Sequence, residues 1–202
     1  MTDKKEQQKK GQKGMGEIKR CRWCNLNNPL YVEYHDNEWG RKNTDDRYLF
    51  EMLILESFQA GLSWECVLNK RENFRKAFDD FDAEKVAAYD EEKLLSLAGD
   101  PGIIRNRLKI AASVNNANIF LKLQEEYGSF WNYLNRFIEN RTIYEIDKAT
   151  NELSDKISAD LKKRGMKFVG STIIYAYLQA IGVIYSHDEC CSLYRDGVSE
   201  DK

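Results

Sequence analysis

The chain holds only two histidines, and each stands near a cysteine, one pair towards each end. Cys21 and His35 are thirteen intervening residues apart, within Cys21-Arg22-Trp23-Cys24…Tyr34-His35. His187 and Cys191 are separated by three residues, a spacing that predicts one shared helix face. Two thiolates and two imidazoles form a complete tetrahedral ligand set for one structural zinc ion. A site closed in this way leaves no open position for water, so the metal would hold the fold and leave the chemistry to other residues. It also requires a fold whose two ends meet. Two neighbours leave the ligand set open: Cys24 creates a Cys21-x-x-Cys24 knuckle spacing, and Cys190 adjoins Cys191. Cys66 lies in an amphipathic stretch and reads as a small buried hydrophobe.

With 202 residues and 42% hydrophobic content, the chain can bury a substantial core in one domain or two closely joined subdomains. No segment approaches the roughly eighteen apolar residues of a membrane span. The N-terminal charges precede no apolar segment, which argues against a secretory signal. Five cysteines, at least two of them metal-like, suit a reducing compartment, so the expected location is cytoplasmic. Residues 1–20 carry seven Lys/Arg against three Asp/Glu, leaving 24 basic and 30 acidic side chains elsewhere. An acidic body argues against strong indiscriminate nucleic-acid binding, because that affinity comes from phosphate contacts. Local basic faces remain available at Arg105-Asn106-Arg107-Leu108-Lys109 and at Lys162-Lys163-Arg164-Gly165-Met166-Lys167, although such runs are commonly solvated helix surface.

Residues 1–18 read as a disordered basic tail, 19–194 as the folded domain and 195–202 as a flexible tail. From residue 45 onward the apolar spacing is helical throughout. Asp45 or Asp46 caps a helix with Leu49, Phe50, Leu53, Ile54 and Phe58 inward, and a second is expected from Ser63 to Phe78. Asp82 and Asp90 open two short helices, and a long one is expected from Ile103 towards Leu123. Phe130–Phe137 repeats the helical period. Ser154 is expected to cap a helix that Gly165 stops, and a last helix runs from about Ser171 to Gly182. With two prolines and no convincing alternating segment, the expected class is all-α.

Two constellations could carry chemistry. In Met166-Lys167-Phe168-Val169-Gly170-Ser171-Thr172, a short turn joins two helices. Such a hairpin exposes backbone N–H groups suited to a DNA phosphate, with Lys167 adding charge, unless Gly165 is merely a helix stop. The second comprises Trp23, Tyr31, Tyr34, Trp39, Glu56, Gln59 and Trp64. Glu56 sits inside the apolar run Leu53-Ile54-Leu55-Glu56-Ser57-Phe58, where an unpaired carboxylate is costly and should have a cationic or hydrogen-bonding partner. Aromatic walls with one acid would suit a flat cation. The same residues could equally be a core cluster with Glu56 bonded to an Arg or an amide.

Several segments together resemble the 3-methyladenine DNA glycosylase I family of the helix-hairpin-helix superfamily. They are Cys21-Arg22-Trp23, Pro29-Leu30-Tyr31…Tyr34-His35-Asp36-Asn37-Glu38-Trp39-Gly40, Gln59-Ala60-Gly61-Leu62-Ser63-Trp64, Gly102-Ile103-Ile104-Arg105 and Lys162-Lys163-Arg164-Gly165-Met166-Lys167-Phe168-Val169-Gly170. The likeness spans about Cys21 to Cys191.

The resemblance implies an all-α, monofunctional enzyme of base excision repair. It would act as a monomer on double-stranded alkylated DNA, with no membrane and no obligate protein partner. It would flip 3-methyladenine from the duplex and hydrolyse its N-glycosidic bond, leaving an abasic site. Cys21, His35, His187 and Cys191 match the family's zinc ligands, which join the terminal segments. Glu56 matches the acid that contacts the methylated base, and Tyr34 and Trp64 match its aromatic contacts. Trp23, Tyr31 and Trp39 match positions in or around the pocket. Gly61 and Leu62 match the region probing the gap left by the flipped nucleotide, and Lys167, Val169, Gly170 and Ser171 fall in the backbone-gripping hairpin. Other members of the superfamily carry a sugar-stabilising Asp beyond the hairpin, which this family lacks. Asp188, eighteen residues beyond Gly170, reads as support for the metal ligands or as a solvated group. The competing reading is a noncatalytic, zinc-stapled lesion-binding protein.

Overall fold

The computed structural model describes residues 18–197. The basic tail expected at 1–18 therefore lies outside the described residues except for Ile18, as do residues 198–202 of the C-terminal tail. Ten α-helices occur among the described residues, with one two-residue parallel ladder joining β1 (Ile143–Tyr144) to β2 (Ile184–Tyr185). The fold is mostly helical, and no described helix is long and apolar enough to cross a membrane.

The architecture forms around α2 (Asp46–Gln59), whose residues Leu49 to Phe58 are all buried. Asp45 caps α2 as expected, accepting from the Tyr48 amide. Asp46 instead reaches across to accept from the Phe130 and Trp131 amides at the start of α8 (Phe130–Ile138). One carboxylate thereby satisfies first-turn donors of a distant helix. The long α7 (Arg107–Tyr127) starts at its Asn106 cap rather than at Ile103, because the Asp100-Pro101-Gly102 turn and the segment after it are not helical. The short α5 (Ala83–Ala87) and α6 (Glu91–Gly99) open at Asp82 and Asp90 as the sequence indicates.

The structure differs from expectation at other elements as well. The single helix expected at 63–78 is two, α3 (Trp64–Leu68) and α4 (Arg71–Ala77), because the chain turns at Asn69–Lys70. Phe74 and Phe78 still reach the core, whereas Cys66 is only half-buried. The cap of α9 (Glu152–Lys163) is Asn151; Ser154 sits three residues inside and bonds back to the Asn151 amide, completing a capping box. A helix absent from the sequence reading, α1 (Pro29–Asn37), occupies the Cys/His-bracketed segment. Gly165 does end α9, in the left-handed region at φ +96°. After the hairpin, α10 (Ser171–Ala180) packs against both α9 and α2.

Candidate functional site

The first site residues to meet are the four from the chain's two ends. The ligand-type atoms of Cys21, His35, His187 and Cys191 all lie within 4.8 Å of one another, and all four residues are buried. Cys21 Sγ is 3.3 Å from His187 Nδ1, and Cys191 Sγ is 3.6 Å from both His35 Nε2 and His187 Nδ1. Zn–S and Zn–N bonds of about 2.3 and 2.0 Å at tetrahedral angles give S···N edges of roughly 3.5 Å, so the donor set fits zinc. Cys24 is elsewhere, its thiol directed at the Tyr31 carbonyl, and Cys190 is exposed. The expected helix face for His187 and Cys191 is absent. Instead a turn closed by the Cys191 amide on the Asp188 carbonyl (2.8 Å) brings both inward.

The protein supplies hydrogen bonds to the ligand-type side chains of the four. Burial pushes the Cys21 thiol's pKa up, so a thiolate there needs a cation to coordinate. The Asp188 and Leu193 amides donate to Cys21 Sγ and Cys191 Sγ. The Asp36 carboxylate accepts from His35 Nδ1 (2.8 Å), the Cys21 amide donates to His35 Nε2 (3.2 Å), and Arg20 holds Asp36 with paired bonds of 2.8 and 2.7 Å. Burial, reinforced by His35, holds His187 at about 4, and its ring is therefore neutral. The ends are also joined directly, through the Ser192 amide on the Lys19 carbonyl (2.8 Å).

Against this cluster lies the aromatic pocket. Trp39 stands edge-on to both His187 (4.8 Å) and Trp23 (4.7 Å), so cluster and pocket share a wall. Tyr31 and Tyr34 come from one face of α1, Glu56 and Gln59 from one face of α2, and Trp64 from the first position of α3. Together with Trp23 and Trp39 they line a cavity of about 270 Å³. That is just below the roughly 300–1,000 Å³ of drug-sized sites and suits one small flat molecule. Tyr34 and Trp64 pack at 5.2 Å.

Two polar atoms in this lining have no partner among the described residues: Glu56 Oε2 and Trp64 Nε1. Glu56 is 3% exposed. The cation or hydrogen bond expected to compensate it is missing at Oε2, and burial alone pushes its pKa up to about 8. An uncompensated acceptor and donor facing an aromatic-walled cavity can receive a flat molecule that donates to one and accepts from the other. A larger concavity, about 860 Å³ beside α8 and α9, is less suited to chemistry. Lys148, Arg141 and Lys156 there are already paired with Glu145, Glu139 and Glu152.

The third feature is the turn between α9 and α10. Asn116 on α7 pins it twice, accepting from the Lys167 amide (2.9 Å) and donating to the Lys167 carbonyl (2.8 Å). Ser158 donates to the Val169 carbonyl (2.7 Å). Val169 is buried as a whole, its carbonyl engaged by Ser158, so it shapes the turn from inside and does not present itself to a ligand. Gly170 supplies no side-chain cap, and the first amides of α10 are therefore not satisfied from that side chain. Ser171 bonds to Ser154 and Asp155, while Lys167 is exposed. Arg164 of the basic run is engaged with Glu126 and Asp160. Leu62 follows Gly61 (φ +81°) on an exposed loop next to the pocket residue Gln59, and is 43% exposed.

A family model described as methyladenine glycosylase matches residues 23–195. The chain belongs to that family. It is 46% identical over 184 residues to DNA-3-methyladenine glycosylase 1 of Escherichia coli (strain K12), covering 88% of this chain and 97% of the relative. A crystal structure of 3-methyladenine DNA glycosylase I superimposes with a TM-score of 0.84 at 42% identity, over 88% of this chain and all of that one. A tyrosine-to-phenylalanine variant of a 3-methyladenine DNA glycosylase I, in complex with 3-methyladenine, aligns at TM-score 0.81 and 33% identity, covering 86% and 96% of the two chains.

The pocket rim also holds residues that sequence reasoning passed over: Asp147, Lys148, Gln179 and Ser186. No local pattern marks them, because separate loops and α10 bring them in. Asp188 lines the same rim. Burial alone would raise its pKa, but the Arg22 amide (2.7 Å) and guanidinium (3.2 Å) outweigh that and hold it below the usual range. Asn116 did leave a trace, since Asn115-Asn116 in mid-helix is poor helix-forming sequence and asks for a tertiary partner.

Proposed function

We propose that the protein excises 3-methyladenine from alkylated double-stranded DNA by hydrolysing the N-glycosidic bond, as a monofunctional glycosylase acting in base excision repair. The observation that carries this reading is the buried, uncompensated Glu56 in an aromatic pocket sized for one base. Family membership sets the reaction class, and the names of the relatives supply the base.

Methylation at the adenine 3-position makes the nucleobase cationic. An undamaged base gives Glu56 no charge to offset its burial, whereas the cation does. As the everted cation enters, Glu56 releases its proton to solvent and accepts from the base edge as a carboxylate, a charge-assisted bond of the stronger kind. Tyr34 and Trp64 stack on the base, with Trp23, Tyr31 and Trp39 closing the sides. The C1′–N bond then breaks with its electron pair moving onto the ring, so the base departs neutral and needs no protonation. Water adds to C1′ and gives its proton to solvent, and the negative Glu56 favours the electron-poor sugar on the way. No amine attacks the sugar, so the strand remains intact.

The helix-hairpin-helix assignment rests on α9, the 165–170 turn and α10. The hairpin amides around Gly170, with Ser171 and Lys167, would hold a backbone phosphate, and Leu62 would enter the gap the base leaves. We infer that Cys21, His35, His187 and Cys191 bind one structural zinc ion, which supplies no catalytic chemistry. These residues keep the terminal segments together and fix Trp39 behind the pocket. The glycosylase domain is taken as residues 19–194, acting as a monomer.

The test is product analysis on methylated duplex DNA. Free 3-methyladenine, unchanged 7-methylguanine and a strand that breaks only on alkali treatment are expected. A folded, zinc-loaded protein that binds lesions but releases no base would establish the noncatalytic alternative.

A further inference from the structure

Lys109 is a buried cation that the proposed reaction does not use. It projects from the first turn of α7 and is 7% exposed. Its ammonium donates to the Phe58 carbonyl (2.8 Å) and the Ala60 carbonyl (2.6 Å), at the last turn and C-cap of α2. That turn contains no basic residue of its own, so the carbonyls at this negative helix end are met from another helix. The same ammonium lies 5.8 Å from the Phe168 ring, inside the hairpin, where the backbone is left-handed at φ +56°. Two turns further along α7, Asn116 holds the hairpin backbone at Lys167. The stretch pinned at Ala60 continues directly into Gly61 and Leu62, and its other end carries Gln59 and Glu56.

We propose that Lys109 is a positioning residue for base eversion, fixing the stance of the Gly61–Leu62 loop relative to the hairpin. The inference rests on the glycosylase reading and on Leu62 as the residue that fills the gap. The geometry gives it a defined consequence. A hairpin held by α7 grips the backbone, and a loop pinned by the same helix meets the duplex at a fixed distance from that grip. Without the pin, the loop is held to α2 by the turn bond from the Leu62 amide to the Gln59 carbonyl (2.6 Å), and Gly61, at φ +81° with open space around it, adds no side-chain restraint. Lys109 is not among the residues that line the base pocket.

The experiment compares wild type, Leu62→Ala, Lys109→Met and the double variant in two assays: single-turnover release of 3-methyladenine from duplex DNA, and binding of free 3-methyladenine followed by tryptophan fluorescence. Lys109→Met should lower duplex release about tenfold or more. It should leave free-base affinity within about twofold, and the double variant should be no slower than the slower single variant. Lys109→Arg, which keeps a cationic donor, should recover most of the release. Losses that multiply in the double variant, or free-base affinity falling in step with release, would overturn the proposal. If Lys109→Met does not fold, Lys109→Gln carries the same comparison. A wild type that releases no base would remove the glycosylase reading, and this inference with it.

Discussion

Glu51 and Glu56 both point into the core from α2, yet only Glu51 is paired there. Arg71 and Arg75 bond it at 2.7 and 2.8 Å, whereas Glu56 Oε2 has no hydrogen-bond partner among the described residues. A stability maximum would place a partner at both positions, so Glu56 marks where folding gives way to function. Its proton is linked to stability with a definite sign. The native pKa is about 8 against an ordinary 4.5, so between those values the folded state keeps a proton that the unfolded state has lost. The contribution of Glu56 to stability must therefore fall as pH rises through that window, by roughly 3 kcal/mol at pH 7, while His187, held at about 4, contributes in the opposite sense below about pH 6.5. Tyr31 and Tyr34, also pushed up by burial, stay neutral and do not contribute there. Glu56→Gln should remove this dependence: its Tm relative to wild type should climb from pH 5 to pH 8, while base release is lost. Parallel Tm curves would show that Glu56 is not protonated in the native state. The sequence made Glu56 conspicuous by its apolar neighbours. It could not show that the compensating group would be absent, because partners such as Arg71 come from other helices.

At the scale of elements, hydrophobic period and caps located most helices, since Asp45, Asp82, Asp90 and Gly165 act locally. The failures are equally local in origin. The split between α3 and α4 hides inside a continuous apolar pattern, because Val67, Leu68, Phe74 and Phe78 are buried on both sides of the turn. The first helix was signalled by Asn28 before Pro29, a cap followed by proline at the first position, but its buried aromatics looked like pocket residues alone. The hairpin offers a separation of stability from binding. A Cβ at Gly170 would meet nothing within 4 Å, and its φ is ordinary. Gly170→Ala should leave Tm unchanged and weaken duplex affinity by about tenfold, by standing between the backbone amides and a phosphate. Undiminished binding in a filter or anisotropy assay would move the phosphate site elsewhere. Asn116→Ala should both destabilise the protein, by about 1–3 kcal/mol, and weaken DNA binding, because two backbone groups of the hairpin lose their partner.

For the whole molecule, the question is why a pocket at the centre depends on residues at both ends. Trp39 gives the answer, since it touches Trp23 on the pocket side and His187 on the cluster side. The pairing of chain ends was legible because the chain has only two histidines, but the turn that presents Cys191 was not, since its spacing also fits a helix. Cys191→Ser or chelation should reduce the proposed zinc content of one per chain. The accompanying loss, on the order of 4 kcal/mol, would lower Tm by about 10 °C. Free-base binding should weaken in parallel as Trp39 loses its backing; an unchanged Tm after complete metal removal would contradict the structural role. The account as a whole stands on one carboxylate reading a cationic base, and single-turnover release from methylated duplex DNA tests that most directly, with wild type beside Glu56→Gln. The prediction is rapid release of 3-methyladenine alone by wild type and a loss of about a hundredfold or more in the variant. Equal rates for the two proteins would contradict it.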